Sequence, residues 1–144
     1  AGCGVQYFSQ QAVARFARRA GFFFAAGLPV TGQLSAVQQA LAAGDPRAQA
    51  VYETIGTCFG YALGHYGDFY RFRHVLLLGG VAAGDAGSVI VDRAVAVLRA
   101  EFPEQAGAVC LHLSDEKIKR HAQAIAAASL PALEKNSFSI HSNP

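Results

Sequence analysis

The sequence predicts an α/β domain, rich in helices, with a β-α-β-α unit towards its C-terminal end. Three observations predict it. Arg73–Leu78 reads as a strand, and its residues His74–Leu78 are nearly continuous in apolar character, the pattern of a strand buried on both faces. Ala108–Leu113 forms a second short strand pattern. Between them, Ser88 to Phe102 carries Ile90, Val91, Ala94, Val95, Val97 and Leu98 at helical spacing. Strand, helix and strand in that order give two parallel strands joined by a right-handed crossover.

The remaining elements follow from local signals. Ser9 is placed to cap a helix over Gln10–Ala20, whose apolar positions Ala12, Val13, Phe16, Ala17 and Ala20 share one face and which Gly21 closes. Arg15, Arg18 and Arg19 fall on the opposite, solvated face. Phe22–Gln33 is apolar but punctuated by Gly27, Pro29 and Gly32, which predicts a loop with buried aromatics. A short helix over Leu34–Ala43 stops at Gly44. Asp45 then caps the longest helix, Pro46 to Tyr66, with proline in the first position, where its missing N–H costs nothing. One stripe of that helix is Tyr52, Ile55, Phe59, Leu63 and Tyr66, which predicts core. Another is Gly56, Gly60 and Gly64. Each helical glycine costs up to about 1 kcal/mol relative to alanine, so three in line predict close approach of another backbone. After the first strand, Gly79, Gly80, Gly84, Asp85 and Gly87 make a glycine-rich loop. Ser114 or Asp115 caps a last helix, Glu116 to Ser129, and residues 135–144 carry no periodicity.

Composition narrows the function classes. Only 15 % of the 144 residues are charged, 12 basic and 10 acidic, against about 25 % in an average domain. That excludes a disordered tail. A net charge of +2 without a basic cluster excludes an electrostatic nucleic-acid binder. The uncharged stretch Ala20–Gly44 is broken by proline, glycine and glutamine, so it predicts no membrane span. The low charge instead predicts apolar surface that another lobe or a second copy of the chain covers. The absence of methionine predicts a processed product or a piece of a longer protein. Three widely separated cysteines, Cys3, Cys58 and Cys110, predict neither a disulfide framework nor a metal site, and fit a reducing, cytoplasmic setting.

No catalytic constellation stands out. The ten acids are scattered, and His65, His74, His112, His121 and His141 show no ligand spacing. Cys58, among core aromatics, fits a small buried hydrophobe. The best local signal is the glycine-rich loop after the first strand, because ligands of open α/β sheets sit beyond the carboxyl ends of strands. It matches neither of the common phosphate-loop fingerprints.

Several segments together resemble one family. The start, Gly2-Cys3-Gly4-Val5-Gln6-Tyr7-Phe8-Ser9, is similar to the Gly-Cys-Leu-Glu-x-Tyr-x-Ser signature of the ROK family of repressors and sugar kinases. Gly44-Asp45-Pro46, then Ile55-Gly56 and Phe59-Gly60-Tyr61-Ala62-Leu63, resemble its Gly-Asp and Gly-x-x-Leu-Gly-x-x-Leu-Ala helix. His74-Val75-Leu76-Leu77-Leu78-Gly79-Gly80-Val81 resembles its adenosine motif, and Ala122–Ala128 its closing helix. The matches run in order from Gly2 to Leu130.

The resemblance implies residues 1–134 as the C-terminal part of an actin-like ATPase lobe of the ribonuclease H-like class, followed by a tail at 135–144. It implies ATP as cofactor, contacted by Gly79, Gly80 and Gly84. It implies a partner too, the N-terminal lobe, which supplies the catalytic aspartate and phosphate loop and closes with this lobe on a sugar. The glycine stripe would pack against the sheet. Departures set the function expected. The sugar-binding glutamate is Val5, the first glycine of the adenosine motif is Leu78, and the companions of Cys3 in a zinc site are missing. The chain alone is therefore expected to be inactive, and the intact protein to be a sugar kinase acting by ATP-dependent phosphoryl transfer. The alternatives are a non-catalytic regulator or scaffold with a decayed sugar site, and an independent dimerising α/β domain.

Overall fold

A computed structural model describes residues 3–114 of the chain. In them the fold is mixed α/β, mostly helical, with a small parallel sheet. The order is α1 (Val5–Phe8), α2 (Gln10–Arg19), α3 (Val30–Ala42), α4 (Pro46–Gly67), β1 (His74–Leu77), α5 (Asp85–Glu101), α6 (Pro103–Ala108) and β2 (Cys110–Leu113), with a 3-10 turn at Gly80–Ala82 before α5. The expected last helix and tail lie outside the described residues.

The expected caps form. Ser9 Oγ accepts from the Ala12 amide at 3.3 Å, and Asp45 Oδ1 from the Arg47 amide at 2.9 Å. The Arg47 guanidinium also donates to both Asp45 carboxylate oxygens, which holds the Asp45 carboxyl below the usual carboxylate range. The same guanidinium lies 4.7 Å from the centre of the Phe22 ring and ties the start of α4 to the loop after α2.

Several boundaries differ from expectation. The Phe22–Gln33 loop is shorter, because Pro29 ends it and α3 begins at Val30. Gln33 thus sits in a helix, buried, accepting from Arg18 Nη2 and donating to the Leu28 carbonyl, both at 2.7 Å. Arg18 is therefore a structural bond as well as a surface charge. Asp85 and Gly87 belong to α5 rather than to the loop before it. Pro103 does not end the helical region but opens α6, where it occupies a first-turn position that tolerates proline. Ala108 closes α6, so the second strand begins only at Cys110. The short α1 had no counterpart in the sequence pattern.

The core lies where α2, α3, α4 and α5 meet, around Val13, Leu34, Val37, Val51, Tyr52, Ile55 and Ile90. The glycine stripe of α4 faces α5, which corrects the expectation that it packs against the sheet. A Cβ on Gly56 would lie 2.7 Å from the Ile90 carbonyl oxygen, and one on Gly60 2.7 Å from the Val97 Cβ. At Gly64 the Phe102 ring fills the space, 2.5 Å from such a Cβ. The missing side chains let the two helices approach along their whole contact.

The aromatic stripe is core at Tyr52, Ile55 and Leu63 and emerges at Tyr66, which is 49 % exposed. Tyr52 is fully buried, yet its hydroxyl finds no partner among the described residues, and burial pushes the phenol up. An orphaned buried hydroxyl costs about 1–3 kcal/mol. Tyr52→Phe removes only that atom, so it is expected to raise stability by about 1 kcal/mol in urea unfolding. A loss of stability would mean that the hydroxyl has a partner.

β1 and β2 pair in parallel, with His74 opposite Cys110 and Leu77 opposite Leu113. Val75 and Leu77 turn towards the helices and are half-buried. The opposite face carries His74, Leu76, Cys110 and His112, all exposed.

Candidate functional site

β1 aims its carboxyl end at the glycine-rich loop, and the loop delivers the chain to the start of α5. Gly79 has φ 109° and ψ 168°, a region open essentially to glycine alone. Gly84 has φ 61° and ψ −145° and stands just before α5. Between these two pivots, the Ala82 amide donates to the Gly79 carbonyl and the Ala83 amide to the Gly80 carbonyl, both at 3.2 Å. Gln38 of α3 clamps the turn from outside, its Nε2 donating to the Gly80 carbonyl at 2.8 Å and to the Ala83 carbonyl at 3.4 Å. The turn is thus held by the fold.

The loop glycines have different reasons to be glycine. Gly79 and Gly84 are required by backbone conformation. Gly87 is required by packing, since a Cβ there would lie 2.5 Å from the Ala82 carbonyl oxygen and 2.8 Å from the Leu113 side chain. Gly80 has neither reason. Its φ is not positive, and a Cβ would meet only Leu34 at 3.7 Å and Gln10 at 3.9 Å, ordinary contacts. It is exposed, in the middle of the loop.

Two further features set the chemistry. Asp85 places a carboxylate in the first turn of α5, where it occupies the positive end of the helix dipole and repels a second anion. This loop therefore suits a neutral group better than a phosphate. Beside it runs an apolar groove of about 250 Å³, lined by Phe8, Phe59, Ile90 and the consecutive β1 residues Val75, Leu76, Leu77 and Leu78. Consecutive strand residues point to opposite faces. A groove that touches all four therefore follows the edge of β1, the edge away from β2.

The three residues expected at the ligand, Gly79, Gly80 and Gly84, are all in this one loop. Gln38 was not anticipated; it is 42 residues from Gly80 in sequence, and only the packing of α3 brings it near. Cys58 is half-buried on α4, as expected of a small hydrophobe, and burial pushes its thiol up. Cys3 and Cys110 are free and exposed. His74 and His112, which show no ligand spacing in the sequence, meet across the sheet. No described helix is long and apolar enough to cross a membrane. No protein-family model, curated protein or solved structure matches the chain.

Proposed function

We propose that the chain is the nucleotide-binding portion of a ROK-like, actin-type ATPase lobe, and that the Gly79–Gly84 loop receives the adenosine of ATP. The observation that carries this reading is Gly80, a glycine that neither strain nor packing among the described residues demands, exposed in a clamped turn beyond a strand end. A bare backbone there admits a flat base against it. Asp85 supports the same division of labour, with the phosphates held elsewhere. The edge of β1 away from β2, unpaired among the described residues, supports a sheet that continues into further strands of the same lobe, since two strands alone are marginal. Exposed Leu76, Leu78, Phe69 and Tyr70 supply apolar surface for the N-terminal lobe or for a second copy. The setting proposed with this reading is cytoplasmic.

In the intact parent the reaction is phosphoryl transfer to a sugar hydroxyl, with the catalytic base supplied by the other lobe. One observation favours the second reading, a regulator or scaffold without kinase activity. Val5 stands where the resemblance places the sugar-binding glutamate, and it is 60 % exposed on α1. An isopropyl group accepts no hydrogen bond from a sugar.

The test of the loop is an NMR titration of the chain with ATP at millimolar concentration. The amides of Gly79, Gly80 and Gly84 are expected to shift, and Gly80→Val to abolish the shifts while leaving the melting temperature near the parent value, since its Cβ has room. Silence at millimolar nucleotide, or unchanged affinity in the variant, would leave the loop an ordinary turn. Sugar-dependent phosphoryl transfer by the intact parent separates kinase from regulator.

A further inference from the structure

The face of the sheet turned away from the helices brings two imidazoles together. His74 opens β1, and His112 is the third residue of β2. His74 Nδ1 lies 3.0 Å from His112 Nε2, with ring centres 5.2 Å apart and planes at 37°. Both rings are exposed, and Cys110 stands opposite His74 on the same face. A hydrogen bond between two neutral imidazoles uses one as donor and the other as acceptor. A divalent transition ion would use both lone pairs.

We propose that His74 and His112 form a two-histidine site for a divalent transition-metal ion of the nickel or copper type. Imidazole nitrogens suit such ions, and the spacing lets both reach one ion. Metal–imidazole bonds of about 2.0–2.1 Å to two nitrogens 3.0 Å apart subtend about 95° at the metal. That is close to the cis angle of tetragonal or octahedral coordination, the geometries of copper and nickel ions. No group of three ligand side chains gathers among the described residues. Bound there, the ion links β1 directly to β2 and staples the two described strands together. The site stands apart from the glycine loop, because His74 begins the strand whose far end the loop follows.

The experiment is calorimetric titration of the chain with Ni²⁺, followed by proton NMR of the histidine rings. One site per chain is expected, with the His74 and His112 signals the first to broaden. His74→Gln and His112→Gln are each expected to weaken binding by at least the ~10–100-fold that loss of an outer-shell partner alone costs. His65→Gln, at an exposed position of α4, serves as the unaffected control. Absence of binding at millimolar Ni²⁺ would overturn the proposal and leave the pair a plain hydrogen bond. So would a site that survives both substitutions, or first broadening at other histidines in the parent chain.

Discussion

Gly60→Val is expected to destabilise the fold by about 3 kcal/mol and to lower its melting temperature by about 10 °C. The added Cβ meets the Val97 Cβ at 2.7 Å and the Ala94 carbonyl oxygen at 2.9 Å. Neither is the free end of a flexible side chain, so the helices themselves must separate. Helix propensity works the other way, since valine is a better helix former than glycine, but that gain is only a few tenths of a kcal/mol and does not offset overpacking. Gly107→Ala is the control. A Cβ there has nothing within 4 Å, and its φ is not positive, so the same kind of change is expected to be neutral or to stabilise by up to about 1 kcal/mol. Thermal unfolding of both variants decides the matter. Equal effects would mean that α4 and α5 do not meet along the glycine stripe.

Ile90→Ala is expected to cost about 2–4 kcal/mol, the ordinary range for a truncated core isoleucine. Ile90 is 3 % exposed and belongs to the cluster with Val51, Tyr52 and Ile55. It also lines the groove beside β1, so its loss opens the core towards the sheet. The damage is therefore expected to be uneven. Amides of β1 and β2 should lose hydrogen-exchange protection more than those of α2 and α3, which are anchored through Val13, Leu34 and Val37. Urea unfolding measures the total and hydrogen exchange its distribution. A loss below about 1 kcal/mol would show that α5 does not carry the sheet.

The stripe glycines and the loop glycines differ in how legible they were. The glycine stripe announced itself by its spacing, because a helix repeats its faces every three to four residues and three exceptions in line stand out. What it packs against was not legible, since α5 and the sheet are equally plausible partners for a bare stripe. Gly79 and Gly80 were legible as a break after a strand, but not their different reasons for being glycine. Those depend on a φ angle at one and on open space at the other. The expected lobe architecture stands as proposal; what the described residues establish is the mixed, mostly helical fold and its parallel strand pair.

Periodicity, caps and breakers by themselves determined the helices α2, α4 and α5 and the two strands, because those signals act within a turn or two of chain. Ser9 capping α2 and Asp45 capping α4 are contacts of two or three residues. Tertiary structure alone decided what depends on register between distant segments. It seated Gln38 on the loop, faced Gly56, Gly60 and Gly64 with α5, and set His74 beside His112 across 38 residues of sequence. The physical reason is common to all three: a side chain's partners across a fold are chosen by how whole elements bury their apolar faces, and no local pattern encodes that sum.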